Sequence, residues 1–300
     1  MALDKKVFAT RAKTALVYAV VMLTGLLWNE WSFFILFSIV HFGCWYEFNK
    51  LSVLIDPTTR NNTLLDKFHF PIMGWGWMLM AASDQLVLGG FKINEAGSWL
   101  VQIGSFFIPI RFMIDRQLKW RQIARSMGGI IYLSITLALL VNLRSGWIWS
   151  HDSSDSLFSL AIGQFSGKLI CILLIVGIWI NDTMAYVVGS FIGKTPLSSW
   201  SPKKTWEGTL GGIFLSAGLI SLVSNLIWKA NYEVFVISLV CAIGGTIGDL
   251  AESRLKRLAG VKDSGNFMPG HGGFLDRFDS ILFAAPCMDH LLSVILLSLF

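Results

Sequence analysis

The residues best suited to chemistry are concentrated between positions 246 and 279. Thr246, Asp249, Glu252, Ser253, Lys256 and Arg257 are followed by Lys262, Asp263, Ser264 and Gly265, then by His271, Gly272, Gly273, Asp276, Arg277 and Asp279. Asp276 and Asp279 stand at i, i+3 and share a face if a helix begins near Gly273. Asp249, at the end of an earlier apolar segment, can meet them in an oxygen-rich pocket of the kind that binds Mg²⁺. Gly272 and Gly273 before a helix let backbone N–H groups point at an anion, and the helix N-terminus adds positive field. Lys256, Arg257, Lys262 and Arg277 carry the charge to neutralise a polyphosphate or a lipid phosphate. Basic residues alone would be ordinary in a cytoplasmic loop; their interleaving with Asp and Gly is what points to phosphate chemistry. His271 is either a metal ligand or a hydrogen-bond donor to phosphate, and the lack of a second His in this loop favours the donor.

A second cluster runs from Ser198 to Gly212. Ser201, Lys203, Lys204 and Thr205 offer hydroxyls and amines immediately before an apolar run that opens with Glu207, so the anion-binding logic of a helix N-terminus recurs. The plainer reading is a polar loop with Trp206 as an interfacial anchor.

These clusters must be positioned by a very apolar chain. Of 300 residues, 54% are hydrophobic and 14% charged, against about 25% charged in soluble domains, which excludes a water-soluble globule. The fold class expected is all-α, a polytopic integral membrane bundle. Nine segments approach the about 20 apolar residues of a helical span: 14–29, 31–48, 70–90, 98–114, 128–146, 168–192, 208–228, 232–249 and 280–299. With a cytoplasmic N-terminus, twenty of the 24 Lys and Arg residues fall on the inner side, leaving Lys92, Arg144, Lys168 and Lys229 outside. The basic start followed by an apolar run resembles a signal peptide, but no small-residue cleavage site follows, so an uncleaved first span is expected. Segments 49–68 and 115–127 read equally well as interfacial helices or solvated connectors, and 149–167 as an external loop ending in a short apolar helix.

Residues 1–170 read as an N-terminal multispanning region and 171–300 as the catalytic membrane region. In the latter, Asn181, Asp182, Glu207, Asp249 and Glu252 stand inside or at the ends of spans, where a carboxylate is costly without a polar cavity or cation. Asp289 and His290, in the last span, can pair with each other or with a neighbouring helix. Cys44, Cys171, Cys241 and Cys287 lie singly in apolar segments and read as packing residues.

The C-terminal segment resembles the phosphatidate cytidylyltransferases, or CDP-diacylglycerol synthases. Their signature, Ser-x-x-Lys-Arg, four residues, Lys-Asp, a small residue two further on, then His-Gly-Gly-x-x-Asp-Arg-x-Asp, is matched in register. The matching residues are Ser253, Lys256, Arg257, Lys262, Asp263, Gly265, His271, Gly272, Gly273, Asp276, Arg277 and Asp279. Met268 stands where the family usually has Leu, Ile or Phe. Asn181-Asp182-Thr183 and Ser201-Pro202-Lys203-Lys204-Thr205 also look like family motifs. The similarity covers roughly residues 180–280.

The resemblance implies transfer of a cytidylyl group from CTP to phosphatidate, with release of pyrophosphate, in phospholipid biosynthesis. It implies dependence on Mg²⁺, assistance by a monovalent cation such as K⁺, and a homodimer. On this reading Asp249, Asp276, Lys262, Arg277 and His271 are the catalytic set, with Asp249, Asp276 and a weaker Asp279 on the metal. Ser201, Lys203, Lys204, Thr205, Lys256, Arg257, Gly272 and Gly273 bind substrate, and Asp182 supports the metal or the network in the polar cavity. The expected setting is the cell membrane, with the site facing the cytoplasm and no nucleic-acid partner. Two rivals remain. A CTP-dependent polyprenol or lipid kinase would use similar machinery, but its alcohol nucleophile needs a base. A secondary transporter suits nine spans and intramembrane carboxylates, yet the charges gather on one face and no internal repeat of the Asp-rich segments is evident.

Overall fold

A computed structural model describes residues 5–59, 63–115, 118–146, 166–228, 233–267 and 272–297. Among them nine helices carry nearly all regular structure. These are α1 (Lys5–Leu27), α2 (Glu30–Ile55), α3 (Leu64–Met80), α4 (Ile93–Ile114), α5 (Trp120–Ser145), α6 (Gly167–Ile192), α7 (Trp206–Trp228), α8 (Glu233–Leu258) and α9 (Leu275–Leu297). Each expected span falls on one helix. Six of these, α2 and α4 to α8, are long and apolar enough to cross a membrane, and α1 adds a shorter apolar stretch, Thr14–Leu27. The protein is an all-α polytopic membrane protein.

Local chemistry sets the helix ends. Asn29 caps α2, accepting from Ser32 N at 2.8 Å while Asn29 N donates back to Ser32 Oγ at 3.0 Å. Ser166 caps α6, and Thr205 Oγ1 accepts from Gly208 N at the start of α7. The third helix ends at Met80, well before the expected residue 90, because the chain turns there into a small antiparallel hairpin. Its strands, β1 (Val87–Leu88) and β2 (Phe91–Lys92), are joined through Gly89 and Gly90 at φ +57° and +88°. The two basic-apolar stretches, 49–68 and 115–127, are described in part. In the first, α2 runs on to Ile55 and a turn at Pro57–Thr59 follows; the second leads into α5, which starts at Trp120. Of the expected external loop, residues 149–165 lie outside the described residues.

The chain forms two compact units, 1–141 with 255–278, and 142–254 with 279–300. Residues 255–278 thus group with the N-terminal helices. Side chains from α2 that receive this segment, described below, are the reason.

In the first unit, α2 and α5 lock together through a buried polar contact. Trp45 Nε1 donates to Ser134 Oγ at 2.9 Å, and His41 Nε2 lies 2.9 Å from the same oxygen. Ser134 sits in a π-helical stretch, Ile130–Ile135, within α5.

In the second unit, α6 and α7 approach closely where small residues face each other. A Cβ added to Gly208 would stand 2.8 Å from both Ala185 O and Gly189 Cα. Gly208→Leu is therefore expected to push the helices apart and lower stability by about 1–3 kcal/mol, read as a lower thermal midpoint in detergent. Between α8 and α9 the approach is closer still: a Cβ on Gly248 would lie 2.4 Å from Asp279 O. Asn142 Nδ2 donates to Asp289 at 3.0 Å, so this carboxyl is tied to a neighbouring helix. Among the cysteines, Cys44, Cys171 and Cys241 are buried, and all four are free of disulfides.

Candidate functional site

Two polar clusters stand out, one in each unit. In the second unit, α8 presents Asp249 and Glu252 at i, i+3 on one face. The close passage of α9 over Gly248 brings Asp279 beside them. One oxygen from each of Asp249, Glu252 and Asp279 lies within 4.8 Å of the others. Glu252 is fully buried, Asp279 is 8% exposed, and Asp249 is partly open. Three carboxylates this close repel one another unless cations stand among them. The oxygen-only donor set, partly buried and open on the Asp249 side, fits a hard divalent ion such as Mg²⁺.

One cation comes from the protein itself: Lys204 Nζ is paired with Asp249. Its loop, between α6 and α7, is held at several points. Glu207 accepts from Lys194 N, Thr195 N and Thr195 Oγ1. Pro196 and Thr205 form a backbone bridge, and Arg254 lies 4.9 Å over the Trp200 ring. Ser201 N donates to Ser198 Oγ, and Lys204 N to Ser201 O. The serine-rich loop is thus a folded arm that carries Lys204 to α8.

In the first unit, Lys256 near the end of α8 pairs with Asp276 at 2.7 Å, both side chains being largely buried. Asp276 Oδ2 also accepts from Gly273 N at 2.7 Å and from Ser264 N at 2.9 Å, and lies 2.9 Å from Ser264 Oγ. Burial works to raise the Asp276 pKa, but the Gly273 N–H, the Lys256 ammonium and the Ser264 N–H outweigh it and hold the carboxyl below its ordinary range. Beside it Glu47 of α2, 3% exposed, accepts from Ser264 Oγ at 2.6 Å and from Phe274 N and Leu275 N at 2.9 Å each. The N-terminal amides of α9, expected from sequence to face phosphate, are therefore filled by the carboxylates of Glu47 and Asp276. Gly265 and Gly273 make room for this: a Cβ on either would stand about 2.1–2.2 Å from Glu47 Oε1. Gly272 adopts φ +83°, a conformation that favours glycine.

The other expected site residues are more open. Asp182, Lys203, Lys262 and Arg277 are exposed, and Arg257, also exposed, donates to Val261 O at 3.0 Å. His271 lies outside the described residues. The sequence marks Glu252 as a costly carboxylate at the end of a span and places Ser264 in the same cluster without putting either in the site, and it does not single out Glu47. Glu252 was findable from its i, i+3 spacing to Asp249. Glu47 was findable as a carboxylate at the end of an apolar span, although nothing in its local sequence names its partners.

Residues 9–295 match the model of the cytidylyltransferase family. The chain is 34% identical over 193 residues to phosphatidate cytidylyltransferase 4, chloroplastic, of Arabidopsis thaliana, covering 61% of this chain and 49% of the relative. It is 42% identical over 133 residues to the phosphatidate cytidylyltransferase of a Synechocystis species, covering 44% of this chain and 45% of the relative. To that of Staphylococcus saprophyticus it is 43% identical over 207 residues, covering 66% of this chain and 73% of the relative. The chain thus spans about half the length of the plant and cyanobacterial relatives it matches.

Proposed function

Because the chain belongs to the cytidylyltransferase family, we propose that it is a CDP-diacylglycerol synthase, joining the cytidylyl group of CTP to phosphatidate. A phosphatidate oxygen attacks the α-phosphorus of CTP, the bond from that phosphorus to the bridging oxygen breaks, and pyrophosphate leaves. The observation that carries the reading is the carboxylate triad Asp249, Glu252 and Asp279 with Lys204 on it, at the ends of apolar helices. A phosphate monoester is already largely ionised near neutral pH, so its oxygen needs no strong base. The work left to the protein is alignment and neutralisation of like charges.

Asp249, Glu252 and Asp279 would hold Mg²⁺, which when bound offsets negative charge on the triphosphate. Lys204, fixed by Asp249, is oriented toward that same charge. In the same unit Lys203 adds exposed positive charge; in the first unit Lys256, fixed by Asp276, and the exposed Lys262 and Arg277 are basic groups of the kind that bind phosphate. Asp276, Ser264 and Glu47 act on the shape of the segment that begins α9. The skew of basic residues supports a cell-membrane protein with an inner N-terminus and the site at the cytoplasmic face. The monovalent cation and the homodimer are carried by the family resemblance.

The test is CTP labelled at the α- or γ-phosphate, given to the detergent-solubilised protein with and without phosphatidate. The α-label is expected in the lipid fraction, one pyrophosphate appearing per lipid and none without phosphatidate. Entry of γ-label into lipid would identify a kinase and overturn the reading.

A further inference from the structure

The loop between α6 and α7, in the second unit, carries an aromatic ring to which the metal and phosphate chemistry gives no task. Leu197 N donates to Lys204 O at 2.8 Å and Lys204 N to Ser201 O at 3.1 Å, so residues 198–203 form a closed turn that contains Trp200. This loop meets α8 twice. Lys204 pairs with Asp249, and the Arg254 guanidinium lies over the Trp200 ring, its Cζ 4.9 Å from the centroid. A cation held over one face by the ring's negative quadrupole fixes the indole in return. The residue is still 39% exposed. Both partners belong to α8, and the rise of a helix puts Arg254 about 7.5 Å beyond Asp249 along its axis. The loop therefore lies along α8, with its ammonium on the carboxylate triad and its ring about one and a half turns away.

The geometry points to Trp200 as the platform on which the nucleobase of CTP stacks, with Arg254 as the residue that positions it. The inference rests on the synthase reading above and deepens it by placing the base. A nucleotide whose triphosphate meets the triad and Lys204 has its sugar and base beyond, and a ribose bridges a gap of the size that separates Asp249 from Arg254. Phosphatidate carries no ring, so of the two substrates only CTP can use an indole face. Stacking of a base on an aromatic side chain is strong and tolerant of base identity. Trp200 therefore supplies affinity for the nucleotide and leaves the choice among bases to other groups. Arg254 orders the ring before the nucleotide arrives, which lowers the entropy lost on binding. The plainer use of such a ring is as an anchor at the membrane–water boundary. Trp206, the first residue of α7 and 50% exposed, already stands where an anchor belongs, whereas Trp200 lies outside that helix.

The experiment compares wild type with Trp200→Ala and Trp200→Phe in detergent. It measures KM for CTP, KM for phosphatidate, and inhibition by ribose 5′-triphosphate, which is CTP without its base. Trp200→Ala is expected to raise KM for CTP about 5- to 150-fold, the factor carried by one stacked base, with the other two constants unchanged. Trp200→Phe keeps a smaller π face and should fall between wild type and Ala. A ring that only anchors or folds the loop would displace Lys204 when removed and weaken both nucleotides alike. Equal shifts for CTP and ribose 5′-triphosphate, or no shift for CTP, therefore overturn the proposal. Where the Ala variant is too unstable to assay, the Phe variant carries the same comparison. Arg254→Gln should raise KM for CTP in wild type and add nothing in the Trp200→Ala background, where there is no ring to position; additive effects overturn its role. Binding of labelled CTP without phosphatidate keeps the two readings apart. CTP binding that depends on Trp200, in a protein that releases no pyrophosphate, overturns the synthase reading alone.

Discussion

Asp279→Asn is expected to lower pyrophosphate release at saturating CTP by about 10²–10³-fold, the scale lost when a group that stabilises transition-state charge is removed. The protein should still fold, because the substitution keeps shape and removes one of three mutually repelling carboxylates. That difference gives a readout independent of activity. In chelator, the variant's thermal midpoint should equal or exceed that of wild type. Addition of Mg²⁺ should raise the wild-type midpoint, as any ligand of the native state does, and leave the variant's unmoved. Asp249→Asn should behave alike in Mg²⁺, with the added loss of the Lys204 ion pair. If Asp279→Asn kept near-normal turnover at limiting Mg²⁺ and its midpoint still rose with the ion, the metal assignment would be wrong.

The second large effect is expected far away in sequence. Glu47→Ala removes the acceptor of Phe274 N, Leu275 N and Ser264 Oγ and leaves a void among them. Buried donors without partners cost about 1–3 kcal/mol each, and both amides lose theirs here. A loss of about 3–5 kcal/mol should appear as a lower thermal midpoint and as faster exchange of the Phe274 and Leu275 amides. Glu47→Gln keeps the volume and one acceptor oxygen, so it should fall between wild type and Ala. Activity should follow the same order, because Ser264 also holds Asp276. An Ala variant as stable and as slowly exchanging as wild type would show that Glu47 does not hold this segment.

Much of the architecture was readable beforehand because membrane helices announce themselves by composition: each apolar run between 14 and 299 became one helix. The misplaced end of α3 shows the limit. Residues 81–90 are apolar enough to extend a span, yet the helix stops at Met80 and the chain reverses at Gly89–Gly90, both at positive φ. Asp249, Asp279 and Lys204 were legible because phosphate chemistry demands those residue types close together. Asp276 was visible too, but its neighbours were not: i, i+3 spacing to Asp279 says they share a helix face, and nothing about Lys256, Ser264 and Gly273 filling its oxygens. The glycines were assigned to phosphate for a sound reason, an open helix N-terminus. Glu47 supplies the missing fact, since a carboxylate from α2 already accepts from those amides, and no local pattern could reveal a partner on another helix.

Glu47 and Ser264 are 217 positions apart. A ribosome adding about 5–20 residues per second takes roughly 10–40 s to cover that distance. Throughout that interval α2 exists while the amides that complete it do not, so a nascent chain carries a carboxylate waiting in the bilayer for its partners. Biogenesis is therefore most exposed to error late. A chain stalled before residue 275 has all of its early helices and still lacks the contacts that close its first unit.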